Sequence, residues 1–316
     1  MIIREAKADD VPEVVKVLKA SLGEADLPLS EEIWNYKHVQ NPFGRSIALV
    51  AVEDERIIGV RAFMRWEWKF GEASFHTYRA VDTATHPDHR GKGIFKKLTL
   101  KAVEMAKEIG ADFIFNTPND QSRPGYLKMG WQISGKIEVE VSPSWYSFWK
   151  LWKSNQDYLN SYNISETDLN RLCVGWNSSL EISSRLFTPK SPEYLIWRYE
   201  KNPLQEYEVF ADKGIYLAAS VKKRKKIKEL RIVECIFEDE KLYLDQVSKI
   251  IREWSLKFGA QVVSFSPKFH KRGGPAISGS FGPILTTRDL NLNISGQQEI
   301  ADVKNWSYSL GDLELF

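Results

Sequence analysis

The order of segments in the first half of the chain returns, weakened, in the second. Ser30-Glu31-Glu32-Ile33-Trp34-Asn35-Tyr36, closed by Asn41-Pro42, is matched by Ser191-Pro192-Glu193-Tyr194-Leu195-Ile196-Trp197-Arg198-Tyr199, closed by Asn202-Pro203. Both carry W-x-Y followed by N-P. A helical run ending at Gly110-Ala111, with the apolar strand Phe113-Ile114-Phe115, is matched by a run ending at Gly259-Ala260 with the strand Val262-Val263-Ser264-Phe265. Several short matches in one order indicate an internal duplication. A chain of 316 residues built this way buries two similar cores. The expected division is a first domain over 1–142, an aromatic-rich linker over 143–185 and a second domain over 186–316.

Within the first copy, Ile2 to Arg4 reads as a strand and Ala8-Asp9-Asp10 as the start of a helix carrying Val11, Val14, Val15, Val17 and Leu18. Ser30-Glu31-Glu32 opens another helix, ended by Asn41-Pro42. Strands are expected over 46–52, 57–70 and from Gly71-Glu72 up to Thr85, and Gln132 to Val141 alternates as one half-buried strand. Arg90-Gly91-Lys92-Gly93-Ile94 follows the third of these runs. After it, Ile94, Leu98, Ala102, Ala106 and Ile109 recur at helical spacing until Gly110. The turn therefore sits at a helix N-terminus, where unpaired N–H groups and the helix dipole attract an anion. Gly91 and Gly93 let the backbone approach a phosphate, and Arg90 and Lys92 add positive charge.

The second copy has lost this feature. At the equivalent place it reads Phe237-Glu238-Asp239-Glu240-Lys241, whose carboxylates satisfy the helix dipole and repel phosphate. Between the copies, Trp145 to Trp152 is dense in aromatic residues; a substrate lid, a partner surface and a helix packed between domains all fit. The basic run Lys222 to Lys228 lies between strand-like segments and reads as a solvated hairpin turn. A net charge of +2 gives no argument for a nucleic-acid partner. No apolar run reaches the roughly 18 residues of a membrane span, and no signal-peptide core follows Met1, so the expected location is the cytosol. Cys173 and Cys235 have no metal-ligand spacing, and no metal is expected.

From these residues the first 140 or so positions resemble the GNAT superfamily of acyl-CoA-dependent N-acyltransferases. Its strand, [QR]-x-x-G-x-[GA] turn and helix are matched by Arg90, Gly93 and the lead-in His86-Pro87-Asp88-His89, with Phe95 departing at the last position. Tyr126-Leu127-Lys128-Met129-Gly130-Trp131 is similar to the family's Y-x-K-x-G-[FW] segment. The resemblance implies a mixed α/β fold, a largely antiparallel sheet flanked by helices, in two GNAT-like domains in tandem with a degenerate second copy. It implies acetyl-CoA as cofactor, its pyrophosphate held by Arg90, Gly91, Lys92, Gly93 and Ile94. It places Thr83, Ala84 and Thr85 along the pantetheine arm, where a strand N–H meets the thioester carbonyl. Asn116 and Asn119 match polar positions steadying that arm, and serve equally well as strand-exit and capping residues.

Tyr126 inherits the place beside the thioester sulfur. A phenol with a pKa near ~10 can protonate a departing thiolate, which makes it the candidate general acid. For the general base, Asp82 is the nearest carboxylate, and strand alternation points it to the opposite face unless a bulge intervenes. Glu67, His76 and His86 are further candidates. The tandem arrangement also resembles acetyltransferases of the enhanced-intracellular-survival type, in which a terminal carboxylate, here that of Phe316, enters the site. It further resembles the peptidoglycan-building aminoacyl transferases, which generally lack the intact turn present here. The activity implied is direct acetyl transfer to a primary amine, a small molecule such as an amino sugar ahead of a protein lysine or N-terminus. A catalytically silent acyl-CoA sensor or scaffold is the alternative from another class.

Overall fold

The computed structural model describes residues 1–22, 30–145, 157–224, 227–267 and 276–313. The chain divides into two compact units: Met1–Gly135 with Ile284–Val303, and Lys136–Pro283 with Lys304–Phe316. No described helix is long and apolar enough to cross a membrane.

The sheet of the first unit is built from β1 (Ile2–Glu5), β2 (Ile47–Glu53), β3 (Arg56–Phe70), β4 (Ala73–Thr85), β5 (Phe113–Asn116), β6 (Gln132–Lys136) and β15 (Ile284–Asp289), in the order β1-β2-β3-β4-β5-β15-β6. Strand alternation sends Val50, Val60, Ala62 and Ala84 to one face. There they pack under α1 (Val11–Leu22), through Val11, Val14, Val15, Val17 and Leu18, and under Trp34 of α2 (Glu31–His38). Ser30 caps α2 by accepting the Ile33 N–H at 3.2 Å, a contact of about 1 kcal/mol. Leu49, Ala51, Ile58 and Phe63 face the other way, against Ile94, Leu98, Ala102 and Ala106 of α3 (Ile94–Glu108) and Tyr126 of α4 (Arg123–Lys128). β3 carries Gly59 at this layer because a Cβ there would lie 2.6 Å from Ile94 Cγ2.

The second unit repeats the plan. Its strands are β7 (Val139–Pro143), β8 (Asn160–Asn163), β10 (Glu208–Asp212), β11 (Ile215–Arg224), β12 (Ile227–Phe237), β13 (Val262–Phe265) and β14 (Ile277–Gly279), ordered β8-β10-β11-β12-β13-β7-β14. A short parallel pair joins β9 (Leu186–Phe187) to β16 (Trp306–Ser307). Here α7 (Glu240–Phe258) takes the place of α3, packing Val247, Ile250, Ile251, Trp254 and Phe258 on the sheet, and Gly259 ends it at φ +63°. Position for position, β3-β4-β5-β15 corresponds to β11-β12-β13-β7. Both sheets pair their fourth and fifth strands in parallel and add an antiparallel sixth. Both also carry a bulge at one place. The register skips Asp82 between Arg61↔Thr83 and Ala62↔Val81, and skips Val233 between Ala218↔Glu234 and Ala219↔Ile232. A shared defect in a ladder is a stronger mark of duplication than shared regular structure.

Two expectations need correction. The run Gln132 to Val141 is not one strand: β6 ends at Lys136, Gly135 turns at φ +143°, and Ile137 exchanges backbone hydrogen bonds with Gly282 and Pro283. β7 then joins the second sheet, while β15, from late in the sequence, takes the sixth place in the first. The units therefore do not follow cuts near 142 and 185: the segment Ile284–Val303 belongs to the first because Thr286, Thr287, Arg288 and Asp289 pair with β5. Lys222 to Lys228 does form the β11–β12 hairpin, with residues 225–226 outside the described residues. Trp145 is 63% exposed; the remainder of the aromatic segment, 146–152, and Phe316 lie outside the described residues.

Candidate active site

The turn before α3 has the geometry its glycines require. Gly91 and Gly93 adopt φ +80° and +70°, the left-handed region, and open space lies where a Cβ would stand. The first intrahelical bond runs from Lys97 N–H to the Gly93 carbonyl at 3.0 Å, so the N–H groups ahead of Lys97 fall outside the helix's own ladder. Ile94 is buried against Gly59 and anchors the turn to the sheet. The two cations are tethered. Arg90 donates to the Ser21 carbonyl at 3.0 Å, and Lys92 pairs with Glu53 at 3.1 Å. They shape the turn and supply charge, while the backbone presents the donors.

Beside this turn the sheet splits. β4 pairs with β3 as far as Thr85, but with β5 only over Thr77, Tyr78 and Arg79. From Ala80 to Thr85 no strand among the described residues pairs with that edge, so alternate residues present backbone N–H and C=O groups to an incoming chain. Thr83, Ala84 and Thr85 lie on this free edge. It is a slot of peptide hydrogen bonds leading toward a cradle of N–H groups.

α4 brings Tyr126 to the same layer. Its ring is 3% exposed and meets Phe95 and Trp131 edge-on, with centroids 5.6 and 5.1 Å away. Phe95, the departure from the family's turn pattern, thus becomes part of the tyrosine's wall. The Tyr126 hydroxyl accepts a hydrogen bond from Arg61 Nη1 at 2.7 Å. Arg61 is fully buried in β3, its guanidinium over the Phe63 and Tyr126 rings, and its Nε and Nη2 have no partner among the described residues. An unsatisfied buried donor costs about 1–3 kcal/mol, and uncompensated costs of this kind gather at functional sites.

The profile of the Acetyltransferase (GNAT) domain matches residues 2–134. This region is a GNAT acetyltransferase domain. Solved structures share the fold over nearly the whole chain. A GCN5-related N-acetyltransferase from Anabaena variabilis matches at TM-score 0.65 and 14% identity, over 92% of this chain and 73% of that one. One from Kribbella flavida matches at 0.62 and 15%, over 92% and 71%. Eis1 from Mycobacterium abscessus matches at 0.58 and 11%, over 92% and 74%. Residues 2–134 thus carry an acetyltransferase domain, and the chain shares the mixed α/β fold of these structures.

Around the GNAT domain's free strand edge the remaining candidates separate. Asp82 is the bulged residue, at φ +34°, so the bulge that alternation alone left open is present. Its carboxylate pairs with Lys37 Nζ at 2.5 Å and accepts from His38 Nε2 at 2.8 Å. Burial pushes its pKa up, but the Lys37 ammonium and the His38 hydrogen bond outweigh that and hold the carboxyl well below its usual range. His38 is 3% exposed, with Nδ1 bonded to Ser46 Oγ at 2.8 Å; burial lowers its pKa against the pull of Asp82, which keeps the ring neutral. A carboxylate so engaged is a poor acceptor for an ammonium proton.

Asn116 is buried, and its Oδ1 accepts from Thr286 of β15 at 2.6 Å. Asn119 is exposed, and its Oδ1 accepts from the Ser122 N–H at 2.8 Å in the turn that leads into α4. Glu67 and His76 face each other at the far end of the β3–β4 hairpin, and nine residues of strand put His76 roughly 30 Å from Thr85. His86 lies at the mouth, where Nδ1 accepts from Asp88 N–H at 3.4 Å. Sequence reasoning passed over Arg61, Lys37 and His38. The last two follow the repeated W-x-Y, the one local signal that could have marked them.

Proposed function

We propose that the first unit transfers an acetyl group from acetyl-CoA to the nitrogen of a primary amine. The observation that carries this reading is the free β4 edge from Ala80 to Thr85 leading to the left-handed Gly91 and Gly93 turn at the start of α3. The cradle fits a pyrophosphate because its donors are backbone N–H groups at a helix N-terminus and the space before both glycines is open. Arg90, Gly91, Lys92, Gly93 and Ile94 hold the pyrophosphate, and Thr83, Ala84 and Thr85 hold the pantetheine arm. The bound cofactor supplies an activated acyl thioester.

The chain's residues then do three things. A strand N–H polarises the thioester carbonyl, a donor worth roughly 3 kcal/mol when aimed at the developing oxyanion. Tyr126 protonates the thiolate as the C–S bond breaks and the N–C bond forms, and Arg61, through its hydrogen bond to the phenol, balances the charge left there. The ammonium's first proton goes to water, since Asp82 is held too low to take it, and the second, shed as the nitrogen becomes an amide, restores the Tyr126 phenol. Asp82 instead ties the β4 bulge to α2. The acceptor we favour is a small molecule such as an amino sugar, met in the cytosol.

Release of free thiol tests this. Acetyl-CoA and a panel of small primary amines, with a lysine peptide included, should give amine-dependent thiol release. Binding of acetyl-CoA with no amine accelerating release would instead establish a sensor.

A further inference from the structure

The second unit holds a cavity of about 360 Å³, inside the size range of small-molecule sites. It lies where the second sheet splits. β12 pairs with β13 only over Glu229, Leu230 and Arg231 but runs on beside β11 to Phe237, which repeats the opening beside β4. The ligand it suits is of the opposite charge. At the start of α7 the Asp239 carboxylate accepts the Leu242 N–H at 3.1 Å, occupying the helix N-terminus, and Glu238 and Glu240 stand exposed at the cavity's rim.

At the floor Lys190 is buried between two carboxylates, 2.7 Å from Glu234 and 2.6 Å from Asp312. Tyr199 and Ser309 donate hydroxyl hydrogens to Glu234, and Tyr194 donates to Asp312. These neutral donors orient the carboxylates without cancelling their charge. Among the described residues that line the cavity, one ammonium therefore faces four carboxylates, Glu234, Asp312, Glu238 and Glu240. The walls are aromatic: Trp176 and Phe237 meet edge-on with centroids 5.2 Å apart, and Phe265 and Tyr308 complete them. Burial, with Asp312 beside it, pushes the Glu234 carboxyl up against the pull of Lys190.

We propose that this cavity is a binding site for a small organic ammonium with an apolar body, its charge meeting the surplus carboxylates and its body meeting Trp176 and Phe237. The inference is independent of the acyl-transfer reading, since every residue it uses lies in the second unit. Calorimetric titration of the full chain with 2-phenylethylammonium, and with 2-phenylethanol as its uncharged counterpart, tests it. The ammonium should bind at least about tenfold more tightly, the scale of one charge-assisted hydrogen bond. The rim double variant Glu238→Gln/Glu240→Gln, on exposed side chains that leave folding intact, should lose most of that preference, and Gly93→Asp should keep it. Equal binding of amine and alcohol, no binding of the amine, or an unchanged preference in the rim variant would each overturn the proposal. Loss of the preference in Gly93→Asp would overturn it as well, by moving the amine site to the first unit.

Discussion

Arg61 Nη1 donates to the Tyr126 hydroxyl over 2.7 Å, joining β3 to α4 through two buried side chains. Among the described residues the guanidinium's Nε and Nη2 have no partner, so the chain carries a cost in stability where the proposed proton donor stands.

If the pair works as a unit, Tyr126→Phe lowers kcat by about 10²-fold or more while acetyl-CoA affinity stays near its original value. Arg61→Met added to Tyr126→Phe then costs little further activity, and the double variant melts no lower than the parent because the orphaned donors are gone. Steady-state kinetics and thermal denaturation of the four proteins check both statements. Multiplying losses of activity would show that the two side chains act separately.

Gly59→Ala places a methyl 2.6 Å from Ile94 Cγ2 and 3.1 Å from Leu98 Cδ1, under the first turn of α3. Overpacking of this kind costs about 1–3 kcal/mol. Urea denaturation should show a loss of that order, together with weaker acetyl-CoA binding as the cradle shifts. Gly175→Ala, inside α5 (Glu166–Glu181) with nothing near the added carbon, serves as the contrast and should stabilise by up to about 1 kcal/mol.

Acid should loosen the first unit through His38. Its folded pKa lies below the ordinary 6.5 because the ring is buried. As pH falls below that value the unfolded chain takes up a proton that the folded chain refuses, so stability present at neutral pH is lost on acidification. Asp82 adds a second loss below its unfolded value of 3.8, since its folded pKa is also depressed. Melting midpoints followed from about pH 7.5 to pH 5 should fall more steeply for the parent than for His38→Gln. Parallel slopes would remove His38 from this account.

What the sequence disclosed, and what it hid, divides by range of interaction. The glycine turn, the helix from Ile94 and the helix cap at Ser30 are set by neighbours within a few residues, and all stand where the pattern put them. Tyr126 was legible because its motif is contiguous. Arg61 was not: on paper it is a charge in a strand, and only the fold shows it walled in by Phe63, Phe95 and Tyr126. His38 and Lys37 sit more than forty residues from Asp82 and meet it only across a bulge. The split of Gln132 to Val141 was hidden for the same reason. The run alternates in sequence, but its two pieces join different sheets, where Ile133 is exposed and Ser134 buried, and the place vacated in the first sheet is filled by Ile284–Asp289, far along the chain.

The account's central claim is that one half of a duplicated chain kept the acyl-CoA cradle while the other closed its own with carboxylates. Isothermal titration of acetyl-CoA into the parent and into Gly93→Asp measures it. The predicted result is one molecule bound per chain and none detectable in the variant, whose added carboxylate faces the cradle from a backbone at φ +70°. Two molecules per chain, or unchanged binding in Gly93→Asp, would contradict it.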